Sequence, residues 1–373
     1  MTRTSKTKTT TNTAEERGVD KQIRQGTGPL PLGQILVGDA LGTLRQLPAG
    51  SVDTVVTSPP YFRLRNYGHE DQLGSEDEVE LWVRSLREVF EETARVLKPS
   101  GSMWLNLGDT YSRHPSHGAP PKSLLLGPER LLIALVQDGW SVRNKVVWSK
   151  PNAMPSSASD RLSCTWEPMY LLTRSPRYYF DLASIRVPSL TKLGRAGVVT
   201  APKSASGKGA GGGRPQWAGP SAGNNDGLAK MKASGRSGHV LGKNPGDVWR
   251  LATSAYRGAH FATFPPALAE RPILSTCPEA VCAACGLPWR RSPLAQMLGS
   301  LAVRGVLRKS CGCEKRDREP GIVLDPFMGA GTTGLVAERL KRRWIGIELN
   351  PEFAELARDR IRADRIVAAG AIR

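Results

Sequence analysis

The sequence predicts an α/β protein with a Rossmann-like, doubly wound and mainly parallel sheet. Short β-branched runs, such as residues 51–56, alternate with segments whose apolar residues recur at helical spacing, such as 76–97. A glycine-rich turn also lies between a buried strand at 321–324 and a helix at 335–340. A turn of this kind lets backbone approach a ligand and directs a helix N-terminus at its anionic group.

The predicted elements follow one another along most of the chain. Strands are expected at 34–37, 51–56, 102–107, 169–172, 321–324 and 344–350, and ordered segments without an assigned type are expected at 140–148 and 247–251. Helical segments are expected at 40–47, 76–97, 128–138, 267–274 and 335–340. The sequence Lys98-Pro99-Ser100-Gly101 is expected to end the second helix, before the strand at 102–107.

The charge of the chain indicates a polyanionic partner. A chain of 373 residues with a formal net charge of +18 is suited to bind a polyanion, with DNA or RNA as the first candidate. No apolar run is long enough for a membrane span, and residues 1–28 lack the apolar core of a secretory signal. The 6 cysteines are clustered rather than spread, which argues against a secreted disulfide framework. We therefore expect a cytoplasmic protein.

The stretch Ser58-Pro59-Pro60-Tyr61 directly follows the strand at 51–56. The two prolines lack N–H donors and hold the backbone extended, so that a neighbouring carbonyl is free to face a ligand. Ser58 adds a hydroxyl and Tyr61 adds a flat ring. This combination suits an exocyclic amino group on a flat heterocycle. The alternative is a proline turn that closes the strand, with an aromatic ring packed over it.

A second polar stretch, residues 325–334, follows the strand at 321–324. It contains the fingerprint Gly329-x-Gly331-x-x-Gly334, which alone is a weak signal for nucleotide binding. The next strand ends in Glu348, an acid at the position where nucleoside-binding folds contact a ribose. Together these features predict a nucleoside-binding half.

The two stretches together resemble the S-adenosylmethionine-dependent amino DNA methyltransferases. Ser-Pro-Pro-Tyr at 58–61 is similar to their catalytic motif, and Asp-Pro-Phe-x-Gly-x-Gly-Thr-Thr at 325–333 is similar to their cofactor motif. The catalytic motif comes first, which resembles the permuted order of the family's beta group. The resemblance implies a permuted Rossmann-like methyltransferase fold and methyl transfer from S-adenosylmethionine to an amino group of a flipped DNA base.

Serine at position 58 resembles the N4-cytosine branch, whereas aspartate there is more usual of N6-adenine enzymes. We therefore expect N4 of cytosine as the target, with N6 of adenine as the alternative. A remoter alternative is a non-catalytic, zinc-containing DNA-binding protein. A cognate restriction endonuclease is a candidate partner.

The resemblance implies a set of site residues. The catalytic set is Ser58, Pro59, Pro60 and Tyr61. The cofactor-binding set is Asp39, Phe264, Asp325, Pro326, Phe327, Gly329, Gly331, Thr332, Thr333, Glu348 and Asn350. Within it, Glu348 is expected on the ribose hydroxyls and Asp39 near the adenine. For Asp39, the alternative is a helix N-cap. Lys150, farther along the chain, is expected to contact phosphate.

Five cysteines lie between the helix at 267–274 and the strand at 321–324. Cys282-Ala283-Ala284-Cys285-Gly286 is typical of a metal-binding knuckle, and Cys311-Gly312-Cys313 supplies a second pair of thiols. Four thiolates match a closed tetrahedral zinc site, so we predict a small structural zinc module. Cys277 is a fifth candidate ligand, and free cysteines in an unrelated loop are the alternative.

Composition and motifs divide the chain into six predicted segments. We expect a disordered basic arm at 1–28, a catalytic half at 29–190 and a Gly/Lys-rich flexible segment at 191–246. The flexible segment is a candidate for target recognition, with a plain linker as the alternative. The chain returns to the methyltransferase domain at 247–276, forms the cysteine-rich module at 277–319 and ends with the cofactor half at 320–373.

Overall fold

The computed structural model describes residues 29–188, 239, 241–253, 263–292, 296–298 and 301–370. The predicted basic arm and almost all of the Gly/Lys-rich segment lie outside these residues. In the described ranges, no helix combines the length and the apolar character that a bilayer-spanning segment needs.

Strands and helices occur at the predicted positions, and the structure also contains a helix at 351–370 and short strands between 281 and 319 that were not predicted. The strands are β1 (Gln34–Val37), β2 (Val52–Thr57), β3 (Leu97–Asn106), β4 (Ser141–Ser149), β5 (Trp166–Thr173), β6 (Val248–Arg250), β7 (Val281–Cys282), β8 (Arg290–Arg291), β9 (Gln296–Leu298), β10 (Leu301–Val303), β11 (Leu307–Arg308), β12 (Arg318–Glu319), β13 (Ile322–Asp325) and β14 (Arg343–Glu348). The α-helices are α1 (Ala40–Gln46), α2 (Val79–Val96), α3 (Gly127–Gln137), α4 (Pro266–Thr276), α5 (Thr332–Arg339) and α6 (Pro351–Gly370). Two short 3-10 helices lie at Pro115–His117 and Leu182–Ser184.

The central sheet has eight strands in the order β1-β14-β13-β2-β3-β5-β4-β6. Every neighbouring pair is parallel except the two that involve β5, which runs antiparallel to both β3 and β4. The predicted doubly wound, mainly parallel sheet is therefore confirmed. The permutation is visible in the order, since β13 and β14 from the end of the chain lie between β1 and β2 from its beginning.

Helices cover both faces of the sheet, as parallel strands require. One apolar core contains side chains of α1, α2 and α3, among them Leu44, Trp82 and Leu131. The other core contains side chains of α4, α5 and α6, among them Ile273, Leu335 and Ile361. Every residue of β2 and β13 is buried, as expected of strands that are covered on both faces, and the buried polar residues among them, such as Asp53 and Asp325, are hydrogen-bonded.

Helix α2 ends at Val96, just before Lys98-Pro99-Ser100-Gly101 as expected, but β3 begins at Leu97 rather than at the expected Ser102. Leu97 pairs with Val52 at the start of β2. The neighbouring Lys98 donates from Nζ to the buried Asp53 Oδ1 at 2.8 Å. Pairing with β2 and this ion pair hold the segment extended, in spite of its turn-like composition.

The chain divides into two compact units. The first comprises Met1–Asp181, Gly246–Arg290 and Lys309–Arg373, and its described part contains the central sheet. The second comprises Leu182–Pro245 and Arg291–Arg308. In its described part, β9 and β10 form an antiparallel hairpin, and Val187 pairs with Lys243 in an isolated bridge. The predicted zinc ligands belong to the first unit, together with the sheet.

Gly331 is a position where only glycine fits. Its φ is +76°, and an added Cβ would lie 2.9 Å from the Cβ of Ala357 and 3.2 Å from Cδ1 of Ile361 on α6. We expect Gly331→Val to lower the free energy of unfolding by about 1–3 kcal/mol, because it combines backbone strain with overpacking. Urea denaturation measures this loss.

Gly246→Val is the matched control, since an added Cβ there meets nothing within 4 Å and the backbone is not left-handed. An equal loss in both variants would show that the packing of Gly331 against α6 is not the cause.

Candidate active site

A cavity of ≈ 780 Å³ opens at the edge of the sheet where β1, β2, β3, β13 and β14 end. Ligands of doubly wound sheets bind at this edge, because the loops that follow parallel strands converge there. The wall includes most of the site residues predicted from the sequence: Asp39, Ser58, Pro59, Pro60, Tyr61, Phe264, Pro326, Phe327, Gly329, Thr332, Glu348 and Asn350.

The Pro-Pro turn after β2 is fixed from the core side. The carbonyl of Pro60 accepts a hydrogen bond of 3.0 Å from the indole Nε1 of Trp82 on α2. Phe62 is buried and packs edge-on against the same tryptophan, at a centroid distance of 6.3 Å. The carbonyl of Pro60 is thus directed into the protein, while Ser58, Pro59 and Tyr61 remain on the cavity wall.

Tyr61 belongs to a polar network with three residues that the sequence-based set does not contain. Its hydroxyl donates to Glu167 Oε2 at 2.8 Å and lies 3.3 Å from Asn106 Oδ1. Asn106 Nδ2 donates to the same Glu167 oxygen at 3.3 Å, and Lys150 Nζ forms an ion pair with Glu167 Oε1. The Ser58 hydroxyl lies 3.5 Å from Asn106 Oδ1. All five side chains line the cavity.

The network keeps Tyr61 a neutral phenol. Burial, and after it the negative charge of Glu167, raise the pKa of Tyr61 well above its usual range. The tyrosine therefore presents a ring and an anchored hydroxyl rather than a phenolate. It is held by its hydroxyl and by close contact with Gly108, where an added Cβ would lie 2.6 Å from ring atom Cε2.

Asp325 links the two motifs that are far apart in the sequence. Its carboxylate accepts from the Thr57 hydroxyl at 2.7 Å, from the Thr333 hydroxyl at 2.6 Å and from the Phe327 amide at 3.0 Å. The residue is 1% exposed. Burial raises the pKa of Asp325 to about 6, against the lowering effect of the Thr333 and Thr57 hydrogen bonds.

Glu348 organises the glycine loop from the end of β14. Its Oε2 accepts from the Gly329 amide at 2.7 Å, and its Oε1 accepts from the Asn350 amide at 3.0 Å. Burial raises the pKa of Glu348, and the two amide hydrogen bonds oppose that rise. Glu348 lines the cavity, and a carboxylate has acceptor sites for a ligand hydroxyl beyond these two bonds.

Asp39 is the N-cap of α1, with Oδ1 accepting from the Gly42 amide at 2.7 Å. The helix N-cap that the sequence offered as the alternative role of Asp39 is therefore confirmed. Asp39 also lies on the cavity wall, so the cap and a ligand contact are compatible.

Three residues of the predicted cofactor set, Asp325, Gly331 and Thr333, lie behind the cavity wall rather than on it. Asp325 and Thr333 bond to each other, and Gly331 packs against α6. Their position indicates that they shape the glycine loop from within. The glycine at 331 makes room for a helix, whereas Gly329, with φ +49°, is the loop glycine that lines the cavity.

The three network residues outside the predicted catalytic and cofactor sets come from two places: Asn106 ends β3, and Lys150 and Glu167 belong to the hairpin formed by β4 and β5. Lys150 follows the end of β4, and Glu167 lies near the start of the antiparallel β5. The register pairs Trp148 with Glu167, which brings the lysine and the glutamate to the cavity edge. Lys150 thus forms an ion pair inside the cavity and lies 4.5 Å from the ring centroid of Trp148, instead of being free for a phosphate. The hairpin register is the missing signal, and a single sequence does not reveal it.

The four predicted zinc ligands, Cys282, Cys285, Cys311 and Cys313, come together as one cluster, and none of them lines the cavity. Cys277 is buried and does not belong to the cluster.

The raised pKa of Asp325 predicts a pH-dependent stability. A carboxyl whose pKa is higher in the folded state loses stability as pH rises from its ordinary value, 3.8, to about 6. Relative to Asp325→Asn, which is neutral throughout, the unfolding free energy of the unmodified protein should fall by about 3 kcal/mol over this interval. Urea denaturation at a series of pH values measures the difference.

Asp138→Asn serves as a control of opposite sign. The hydrogen bond from Arg87 lowers the pKa of Asp138, so its stabilising contribution is lost as pH falls. A flat difference between the unmodified protein and Asp325→Asn would show that Asp325 titrates normally.

Comparison with known proteins identifies the family. The N6_N4_Mtase family model, described as DNA methylase, matches residues 52–359. The Type II methyltransferase M.XycI of Xanthomonas campestris pv. cyanopsidis is 33% identical over 385 residues, covering 96% of this chain and 99% of that protein. The Type II methyltransferase M.Cfr9I of Citrobacter freundii is 32% identical over 359 residues, covering 89% of this chain and 90% of that protein.

The fold is also similar to a solved structure, that of the PvuII DNA methyltransferase (cytosine-N4-specific). The TM-score is 0.52 at 19% sequence identity, and the match covers 87% of each chain. The matched family segment includes both the Ser-Pro-Pro-Tyr stretch and the glycine loop that meet at the cavity. The resemblance stated from the sequence is thereby confirmed, and the chain belongs to the N6/N4 family of amino-directed DNA methyltransferases.

Proposed function

We propose that this protein methylates the N4 amino group of cytosine within a specific sequence of double-stranded DNA. The observation that carries the proposal is that Ser58 and Tyr61 share one cavity with the glycine loop and Glu348. A methyl acceptor held at the first two residues would face a methyl donor held at the other elements. S-adenosylmethionine is that donor, and it supplies an electrophilic methyl group on a sulfonium.

The residues of the cavity fit this cofactor. Glu348 is positioned to accept hydrogen bonds from the ribose hydroxyls, since its two oxygens are already oriented by loop amides. The start of α5 at Thr332 offers backbone amides to a carboxylate. Asp39 and Asn350 line the same cavity and provide polar contacts, and Phe264 and Phe327 provide apolar ones.

The target amino group is held at the Pro-Pro turn. Its lone pair is conjugated into the ring and is a poor nucleophile, so hydrogen bonds to its protons are needed to localise the lone pair on nitrogen. The Ser58 hydroxyl is one acceptor. Because the Pro60 carbonyl is engaged by Trp82, we assign the second acceptor to the carbonyl of Ser58 or Pro59. The rate enhancement then comes from positioning and local electrostatics, with no covalent intermediate.

Tyr61 supplies the face on which the base stacks after it leaves the duplex. Its hydroxyl is tied to Glu167, and that carboxylate is in turn neutralised by Lys150. The ring is therefore held in one orientation before the base arrives.

Adenine is the alternative target. Both bases carry a conjugated exocyclic amine, and the Ser58 and Tyr61 contacts suit either one. The preference for cytosine rests on serine at position 58, which resembles the N4-cytosine branch.

The partners follow from the same proposal. The net charge of +18 favours DNA, whose phosphates are neutralised by Lys and Arg. The relatives named above are Type II methyltransferases. We include a cognate restriction endonuclease that recognises the same sequence as a partner in the proposal.

Mass spectrometry of nucleosides decides the base. Unmethylated DNA incubated with the protein and S-adenosylmethionine, and then digested to nucleosides, should yield N4-methylcytosine. The control reaction omits the cofactor. N6-methyladenine without N4-methylcytosine would overturn the choice of base but not the reaction class.

Substitutions at the turn separate chemistry from base capture. Ser58→Ala removes one acceptor for the target amine and should slow single-turnover methyl transfer on the order of tenfold to a thousandfold, with cofactor affinity unchanged. Tyr61→Ala removes the stacking face, worth roughly 1–3 kcal/mol per base, and should weaken capture of the flipped base. Rates on matched and mismatched target sites measure the two effects.

A mismatch lowers the cost of flipping, so it should partly rescue Tyr61→Ala and help Ser58→Ala much less. Tyr61→Phe is the matched control, because it keeps the ring and loses only the hydroxyl bond to Glu167. Equal rescue of Ser58→Ala and Tyr61→Ala by the mismatch, or full activity in either variant, would show that this stretch is only a structural turn.

A further inference from the structure

The sulfur atoms of four cysteines lie close together beside the paired strands β7 and β12, shortly before β13 begins. The Sγ atoms of Cys282, Cys285, Cys311 and Cys313 all lie within 4.8 Å of one another. Cys282 is buried, Cys285 is exposed, and the other two are half-buried. The methyltransferase chemistry proposed above uses none of them.

The first pair of cysteines forms a tight knuckle. The Gly286 amide donates to the carbonyl of Cys282 at 2.8 Å, and the Cys282 amide donates to the carbonyl of Leu287 at 2.9 Å. Gly286 has φ +70°, which glycine adopts without strain. This tight turn keeps the sulfurs of Cys282 and Cys285 within reach of one another.

The second pair reaches the same point from the other end of the insertion. β12, which follows Cys313, pairs antiparallel with β7, with Arg318 opposite Cys282. The Ala283 amide also donates to the carbonyl of Asp317 at 3.0 Å. The pairing of β12 with β7 therefore places Cys311 and Cys313 against the knuckle, although a long segment of chain separates the two pairs of cysteines.

We propose that Cys282, Cys285, Cys311 and Cys313 bind one structural zinc ion. Zinc with thiolate ligands is tetrahedral, and Zn–S bonds of about 2.3 Å place the sulfurs about 3.8 Å apart. The observed spread of 4.8 Å reaches this geometry by small side-chain adjustments. Four protein ligands fill the coordination shell, so the ion has no open position for chemistry.

The position of the site gives the ion its role. After β12 the chain enters β13 directly, and the Gly321 amide between them donates to the carbonyl of Pro278 at 3.1 Å. At the start of β13, the Ile322 amide donates to the buried Asp53 at 2.9 Å. The ion joins the cysteine pair before the loop, Cys282 and Cys285, to the pair after it, Cys311 and Cys313. It therefore restrains the segment that contains β7 and the segment that leads through β12 into β13. The cavity lies at the opposite, carboxyl end of β13.

Elemental analysis of the full-length protein, purified without chelator, should find about one zinc per chain. Cys282→Ser and Cys285→Ser should each reduce the zinc content severalfold or more and lower the apparent Tm. Cys164→Ser is the matched control, because Cys164 is a free, exposed cysteine outside the cluster, and this variant should keep its zinc. Cobalt(II) exchanged into the site should show the visible and thiolate charge-transfer absorption of a tetrahedral four-thiolate complex.

A zinc content near zero in the unmodified protein, with the four cluster thiols titratable in addition to the exposed Cys164 thiol, or with a Cys282–Cys285 disulfide, would overturn the proposal. Equal zinc in the unmodified protein and in both knuckle variants would likewise overturn it. If the knuckle variants do not fold, release of zinc from the Cys164→Ser protein in step with titration of four thiols by a mercurial supports the site. Release without thiol modification contradicts it.

Discussion

The buried carboxylate of Asp325 is the interaction on which the geometry of the active site depends. It receives the hydroxyl of Thr57 at the end of β2 and the hydroxyl of Thr333 in the first turn of α5. The residue after Thr57 is Ser58, and α5 begins at the glycine loop, so one side chain holds the proposed catalytic turn and the proposed cofactor loop together. A buried carboxylate is costly unless it is fully hydrogen-bonded, and this one accepts three hydrogen bonds. The same bonds that satisfy it therefore fix the distance between acceptor and donor sites.

The strand order makes that coupling available. Because β13 pairs directly with β2, the two motifs leave the sheet from neighbouring strands, although most of the chain separates them in sequence. Permutation changes where the chain begins and ends but keeps the edge at which the loops meet. Direct methyl transfer gains most from orientation, so an arrangement fixed by adjacent parallel strands suits it. A cofactor half on a separate domain would not fix the two sites in this way.

The charges of the cavity differ from those of the whole molecule. The chain carries +18 overall, which favours attraction of DNA, whereas the cavity contains Glu167, Glu348 and Asp39. Lys150 neutralises Glu167, and the loop amides stabilise Glu348. A positive protein with acidic groups in its cavity thus combines an affinity for phosphate with polar acceptors for a base and a cationic methyl donor. The zinc site proposed at the entry to β13 adds rigidity at the other end of the same strand.

The sequence by itself determined the α/β class, most strand and helix positions, the two motifs and the pairing of four cysteines in two short spacings. These features are local, since they depend on hydrophobic periodicity, glycine conformation and the chemistry of neighbouring residues. Tertiary structure alone decided that Asp325 bonds to Thr57, that Gly331 accommodates α6, that β3 begins at Leu97 and that Glu167 anchors Tyr61. Each of these depends on strand register or helix packing between distant segments. Those contacts are set by the free energy of the whole fold, and no local pattern in the chain encodes them.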